Sequence, residues 1–158
     1  MINTILFDFY NVILLPKENA LDYFALVNQS DEKNTLKYFD LNTQLLEFLT
    51  AIKGRYRLYV FTNSSHLFNH PQIKPQLDKV FIEVISAKQL GPAKDNPRSY
   101  RQLAKMINTP PQEILFIDDQ TKNIQAAQQA GLNSFQFRDT NQTIYQLTEL
   151  LDLPGKIS

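Results

Sequence analysis

The chain has 158 residues, which fits one domain of ordinary size with a single hydrophobic core. Its 16 basic and 16 acidic residues cancel, so no net charge would attract it to nucleic acid or to an anionic membrane surface. The sequence contains no cysteine, which excludes disulfide bonds, thiolate zinc sites and a cysteine nucleophile.

Short apolar runs that end at polar residues are the predicted strands. They cover residues 4–8, 56–62, 80–86, 114–118 and 134–137, of which 80–86 is the weakest. Their brevity and their aromatic and β-branched content are typical of strands buried in a parallel sheet.

Helical patterns alternate with these runs. Apolar residues at helical spacing predict helices over residues 45–52, 97–107, 121–131 and 144–151. Asn96 followed by Pro97 is typical of a helix start, and Gly54 and Gly131 are plausible helix stops. Strands that alternate with helices predict an α/β fold of three layers, with a doubly wound parallel sheet between two layers of helices.

The segment over residues 13–42 carries no strand signal. Leu21 with Phe24, and Leu36 with Phe39, suggest one or two short helices. We interpret the segment as a short lid or a crossover insertion within a single domain over residues 1–158.

Acidic residues end two of the predicted strands. Asp8 closes the first strand, and the adjacent pair Asp118 and Asp119 closes a later one. Ligands of parallel α/β sheets bind at the carboxyl ends of the strands. Paired carboxylates at such a position are typical ligands of Mg²⁺, so we expect a magnesium site there.

A hydroxyl and a lysine complete this candidate site. Thr62 ends another predicted strand and Asn63 follows it, while Lys94 lies in a loop just before a predicted helix. Carboxylates, a lysine and a hydroxyl that meet at strand ends suit phosphoryl transfer to a carboxylate nucleophile.

Four motifs that contain these residues occur in a characteristic order. They are Asp8-Phe-Tyr-Asn-Val12, Val60-Phe-Thr62-Asn63, Lys94-Asp-Asn-Pro97-Arg-Ser-Tyr100, and a last one from Asp118-Asp119 through Asn123 and Ala126-Ala127 to Gly131. In order and spacing they resemble the motifs of the haloacid dehalogenase superfamily. The resemblance extends from residue 3 to about residue 137 and implies a Rossmann-type core with a minimal or absent cap.

The resemblance also implies a role for each site residue. Asp8 would be the nucleophile that forms an aspartyl-phosphate, and Asn123 would brace the loop beside the metal. The implied phosphate-binding residues are Thr62, Asn63 and Lys94. The implied ligands of Mg²⁺ are Asp8, the backbone carbonyl of Tyr10, Asp118 and Asp119.

The first motif departs from the pattern of the family's phosphatases at two positions. Those enzymes keep a second Asp two residues after the nucleophile as general acid and base, and here that residue is Tyr10. Losing a general acid–base costs on the order of 10²–10⁴ in rate. Asn11 replaces the common Gly, and we expect it to tolerate a left-handed turn.

Tyr10 leaves three functions open. The leading hypothesis is a weak or unusual Mg²⁺-dependent phosphatase that acts on a small or bulky phosphorylated substrate. The first alternative is a catalytically inactive relative that serves as a binding or regulatory module. The second is a metal-independent 2-haloacid dehalogenase, because those enzymes resemble this chain in having Tyr at that position, although they lack the acid pair.

Partners and location are predicted from composition and hydropathy. No apolar run approaches the roughly 18 residues of a membrane span, and residues 1–8 lack the features of a signal peptide. We therefore expect a cytoplasmic monomer or homodimer with no nucleic-acid or membrane partner.

Overall fold

The computed structural model describes residues 1–18, 35–63 and 70–154. Its elements, in chain order, are β1 (Thr4–Phe7), β2 (Leu14–Pro16), α1 (Thr35–Tyr38), β3 (Phe39–Leu41), α2 (Thr43–Ile52), β4 (Arg57–Thr62), α3 (Lys74–Asp78), β5 (Glu83–Ser86), α4 (Ala87–Leu90), α5 (Pro97–Met106), β6 (Ile114–Asp118), α6 (Thr121–Gln129), β7 (Asn133–Gln136) and α7 (Thr140–Leu150). A 3₁₀ turn over Pro111–Glu113 precedes β6.

Five of these strands form one parallel sheet in the order β5-β4-β1-β6-β7. The central strand is β1, in which Phe7 is opposite Val60 of β4 and Ile117 of β6. The chain therefore reverses its winding direction beside β1, and ligands of doubly wound sheets bind at such a point.

Apolar side chains cover both faces of the sheet. Within β1, Ile5 and Phe7 belong to a buried cluster that includes α2 and α7, whereas Leu6 belongs to a second cluster with α5 and α6. Side chains alternate between the faces of a strand, so an entirely apolar strand needs a helical layer on each side. The predicted three-layer, doubly wound α/β fold is confirmed.

Two predicted helix-end residues, Asn96 and Gly131, have the cap hydrogen bond and the left-handed backbone typical of their positions. The Asn96 side chain accepts a hydrogen bond of 3.0 Å from the amide of Arg98 at the start of α5, and Gly131 after α6 has a φ of 95°. The helix stop predicted at Gly54 is confirmed in position, because α2 ends at Ile52 and Lys53 is its C-cap. Gly54 does not have the positive φ that Gly91 and Gly131 have. The carbonyl of Ile52 is satisfied by amides that follow it, so no left-handed residue is needed there.

Residues 13–42 contain two strands, although the sequence carries no strand signal there. Strands β2 and β3 pair antiparallel, with Leu15 opposite Asp40. Three-residue strands are too short to show alternation, and Pro16 weakened the signal further. The predicted helix near Leu36 is present as α1. The helix suggested by Leu21 and Phe24 lies outside the described residues, and a lid role for the segment remains a prediction.

None of the helices in the described part of the chain is long and apolar enough to cross a membrane.

Candidate active site

Three predicted site residues lie at the carboxyl ends of adjacent strands. Asp8 directly follows β1, Thr62 is the last residue of β4, and Asp118 is the last residue of β6. All three are buried, and the backbone amide of Asp8 donates to the carbonyl of Ile117 at 2.9 Å. Since β1 lies between β4 and β6, Asp8 occupies the middle of this edge. Asn63 follows Thr62 and is exposed.

Lys94 joins two of these acids from the loop between α4 and α5. Its Nζ lies 2.6 Å from Oδ1 of Asp8 and 2.7 Å from Oδ2 of Asp118, and its side chain is 1% exposed. The same nitrogen lies 5.5 Å from the ring centre of Phe61 and 5.3 Å from that of Phe116. Aromatic faces attract a desolvated cation, so these rings add to the contacts that hold the buried ammonium group in place.

Residues at the start of α6 hold the carboxylate of Asp118 in place. Its Oδ1 accepts from the backbone amide of Gln120 at 2.8 Å, and its Oδ2 accepts from the Asn123 side chain at 3.0 Å. Asn123 therefore braces a site carboxylate and is itself buried. These bonds fix the direction of the Asp118 carboxylate.

Asp119 is held from two other elements. Its Oδ2 accepts from Nδ2 of Asn11 at 3.1 Å, and its backbone carbonyl accepts from Nε2 of Gln136 at 2.8 Å. Its second oxygen, Oδ1, is buried and receives no hydrogen bond from the described residues. A buried carboxylate oxygen without a donor is costly unless something else binds it.

The donor set fits a hard divalent cation. One oxygen from each of Asp8, Asp118 and Asp119 can lie within 4.8 Å of the others. Carboxylate oxygens are the ligands that Mg²⁺ prefers, and the unpaired Oδ1 of Asp119 is available to such an ion. These three acids could therefore hold Mg²⁺.

The cluster shifts the protonation of its members in the absence of a metal. Burial raises the pKa of Asp8 from 3.8 to about 7, opposed by the charge of Lys94 and reinforced by that of Asp118. Burial, followed by the charge of Asp118, also raises the pKa of Asp119, while the Asn11 hydrogen bond lowers it. Perturbed carboxylates in a crevice are typical of functional sites.

Tyr10 occupies the position where the second Asp of the family's phosphatases would lie. Its ring packs edge-on against Phe9 at 5.4 Å and against Phe39 of β3 at 5.6 Å. Tyr10 also forms an isolated bridge with Leu14 at the start of β2. The side chain thus packs toward the two-stranded β2–β3 sheet, which stabilises the loop that follows the nucleophile.

Sequence patterns missed some contacts of the site. The apolar pattern assigns Phe61 and Phe116 to strands but does not indicate that their rings lie beside Lys94. Nothing in the sequence indicates the hydrogen bond from Gln136 to Asp119. Asn11 was expected to take a left-handed turn, and its φ of 64° confirms that. The hydrogen bond from Asn11 to Asp119 was not predicted. The available clue was an amide side chain where the family resemblance implies Gly.

Family membership is decided by a match over the larger part of the chain. A model of the haloacid dehalogenase-like hydrolases matches residues 36–131. The chain belongs to this family. The family that the motifs resemble is therefore confirmed. Asp8 and Tyr10 precede the matched range. The roles of the first-motif residues in this haloacid dehalogenase-like hydrolase therefore remain predictions.

Two curated proteins are similar to parts of the chain. The enolase-phosphatase E1 of Methylococcus capsulatus is 36% identical over 86 residues, which cover 49% of this chain and 35% of that protein. Drimenol cyclase drtB of Aspergillus calidoustus is 26% identical over 125 residues, which cover 73% of this chain and 23% of that protein. The chain thus spans about a quarter to a third of the length of the curated relatives it matches.

Solved structures share the fold along nearly their whole length. A predicted HAD-like family hydrolase from Porphyromonas gingivalis superposes with a TM-score of 0.77 at 19% identity, covering 96% of this chain and 98% of that chain. A HAD-family enzyme from Bacteroides thetaiotaomicron, in complex with magnesium and inorganic phosphate, superposes with a TM-score of 0.69 at 15% identity, covering 87% and 95%.

Proposed function

We propose that this hydrolase is a Mg²⁺-dependent phosphatase that works through an aspartyl-phosphate on Asp8. The observation that carries the proposal is the charge balance around Lys94. Three carboxylates meet a single ammonium group, and two of them contact it directly. When all are ionised, two negative charges remain uncompensated in this largely buried cluster, a balance that suits one divalent cation.

The chain's own residues would perform the following steps. The Asp8 carboxylate attacks phosphorus, an oxygen–phosphorus bond forms, and the leaving oxygen departs with the bonding electron pair. Lys94 holds Asp8 in one orientation and offsets charge on the phosphoryl oxygens, which Thr62 and Asn63 would also contact. Water then attacks the phosphorus of the aspartyl-phosphate, and the bond between phosphorus and the Asp8 oxygen breaks. Asp8 is restored as a carboxylate, and the protons of the water leave with the inorganic phosphate.

Asp8, Asp118, Asp119 and the backbone carbonyl of Tyr10 would hold the metal. When bound, Mg²⁺ supplies charge neutralisation at the phosphoryl oxygens. The similarity to an enolase-phosphatase over 86 residues supports phosphate-ester chemistry, and a neighbour in complex with magnesium and phosphate supports the choice of ion.

Tyr10 directs the proposal toward substrates with good leaving groups. A phenol with an ordinary pKa of about 10 is a poor base for water near neutral pH. Its ring is engaged by Phe9 and Phe39. We expect rapid phosphoryl transfer to Asp8 only where the departing oxygen needs no proton, whether the phosphorylated substrate is small or bulky.

Turnover of p-nitrophenyl phosphate tests the proposal, because its leaving group needs no general acid. We expect release of p-nitrophenol in Mg²⁺, loss of release in EDTA, and loss in Asp8→Asn. Mg²⁺ added back after EDTA should restore the wild-type rate. If the wild-type protein in Mg²⁺ releases no p-nitrophenol, hydrolysis is the wrong function.

The packing of Tyr10 favours one second candidate. A ring fixed against the two-stranded β2–β3 sheet, in place of an acid, would suit a module that binds Mg²⁺ and phosphate without turnover. Calorimetry with inorganic phosphate in Mg²⁺, combined with the p-nitrophenyl phosphate assay, separates the two. Binding without turnover supports the module.

A further inference from the structure

We infer that Asn11 is a positioning residue that selects which oxygen of Asp119 is presented to the metal. The inference rests on the proposed metal-dependent function and assigns a role to the side-chain amide of Asn11. It concerns the orientation of a ligand and not the chemistry of phosphoryl transfer.

The two oxygens of Asp119 have different surroundings. Oδ2 accepts the amide hydrogen of Asn11 at 3.1 Å. Oδ1 is buried and accepts nothing from the described residues. A donor on one oxygen stops the carboxylate from rotating, so the other oxygen keeps a fixed direction. Outer contacts of this kind orient metal ligands and tune the metal site.

The loop that carries Asn11 is itself well held. Asn11 adopts φ 64°, and its backbone amide donates to the carbonyl of Leu14 at 2.8 Å. The left-handed region is open to Gly and tolerated by Asn. Glycine would therefore satisfy the backbone equally well, and what Asn11 adds is the side-chain amide.

The contact also connects two distant parts of the sequence. Asn11 and Asp119 are 108 residues apart, and they lie in the loops that follow β1 and β6. Gln136 holds the backbone carbonyl of Asp119 from the other side at 2.8 Å. Asp119 is thereby fixed at both its main chain and its side chain, with Oδ1 left for the ion.

The test is Mn²⁺ binding to the full chain, followed by electron paramagnetic resonance as a substitute for Mg²⁺. Asn11→Gly keeps the left-handed backbone and deletes the amide, and we expect its Kd for Mn²⁺ to rise about tenfold or more. The matched control is Asn108→Gly, because Asn108 is also left-handed, with φ 52°, and lies outside the site. Its Kd should equal that of the wild type.

A double mutant separates positioning from general damage to the fold. In an Asp119→Ala background, adding Asn11→Gly should change the Kd by less than about twofold, because the two residues act as one unit. A persistent tenfold effect there would overturn the inference. Thermal unfolding in EDTA should show Asn11→Gly to be folded, with a melting temperature near that of Asn108→Gly.

The Mn²⁺ measurements separate failure of the Asn11 inference from failure of the proposed function. If Asn11→Gly binds Mn²⁺ as tightly as the wild type, the inference is wrong while the proposed function survives. If the wild type itself binds no Mn²⁺, the metal-dependent function fails, and the role of Asn11 fails with it.

Discussion

The Nζ of Lys94 lies 2.6 Å from the Oδ1 of Asp8, although 86 residues separate the two in the sequence. Both side chains are almost fully buried. An ion pair of this kind compensates the desolvation of both groups, so its loss leaves an unpaired buried charge.

Removing the lysine should destabilise the protein strongly. Lys94→Met leaves the carboxylates of Asp8 and Asp118 without their cation, and breaking a buried pair costs about 3–5 kcal/mol. We expect a loss of this size in the free energy of unfolding at pH 8 in EDTA, measured by urea denaturation. The loss should shrink at pH 5, where Asp8 is protonated.

Lys122→Met is the matched control for that experiment. Lys122 pairs with Asp95 at 3.8 Å, and both side chains are more than half exposed. Exposed pairs contribute about 0–1 kcal/mol. Equal losses in the two variants would show that burial of the Lys94 pair is not what stabilises the site.

The pKa of Asp8 predicts how stability depends on pH without metal. Burial raises this pKa from 3.8 to about 7, so the folded protein binds a proton that the unfolded chain releases. The associated stability is fully present below pH 3.8 and is lost as pH rises through about 7. Between those values the slope should approach about 1.4 kcal/mol per pH unit.

Denaturation of the wild type and of Asp8→Asn in EDTA, at several pH values, measures this slope. The amide cannot ionise, so Asp8→Asn should lose less stability than the wild type on going from pH 4 to pH 8. Parallel pH profiles for the two proteins would contradict the assigned pKa. Saturating Mg²⁺ should reduce the wild-type slope, because the ion favours the ionised carboxylate.

The fold could be predicted because its signals are local and repeated. Apolar runs, the Asn96 cap and Gly131 each indicated an element that the structure contains. The two-stranded β2–β3 sheet could not be predicted, since its three-residue strands are stabilised by packing of Phe39 and its neighbours and not by a pattern of their own.

The site could be predicted only to the level of which residues meet. Asp8, Thr62 and Asp118 lie at the carboxyl ends of adjacent strands, as the motifs indicated. The bond from Asn11 to Asp119 depends on a side-chain direction set by two loops, and spacing along the sequence contains no such information.

Restoring an acid at position 10 should raise activity toward ordinary esters. Tyr10→Asp supplies a proton donor for alkoxide leaving groups and a base for water, effects typically of about 10²–10⁴ in rate. We expect faster hydrolysis of an alkyl phosphate such as glycerol phosphate, measured as released inorganic phosphate. The ring contacts with Phe9 and Phe39 are lost, so some stability should be lost as well.

Tyr10→Phe is the control, since it keeps the ring and removes the hydroxyl. Its turnover of p-nitrophenyl phosphate should match the wild type, because that leaving group needs no proton. A large loss in Tyr10→Phe would mean that the phenol itself takes part in the reaction.

Two asparagine caps should differ in their contribution to stability. Asn42 caps α2 and also donates to the carbonyl of Val12 and to Oγ1 of Thr140, each at 2.9 Å. Asn96 caps α5 through a single bond. Loss of a cap costs about 1 kcal/mol and each further bond about 1, so Asn42→Ala should cost about 3 kcal/mol and Asn96→Ala about 1. Similar values in urea denaturation would contradict this.

Covalent phosphorylation of Asp8 tests the central claim most directly. The protein is mixed with Mg²⁺ and an acyl phosphate such as acetyl phosphate, quenched in acid within seconds, and examined by intact and peptide mass spectrometry. We predict one added phosphoryl group, located on Asp8 and absent in Asp8→Asn or in EDTA. A wild-type protein that never carries this group, or that carries it on another residue, would contradict the account.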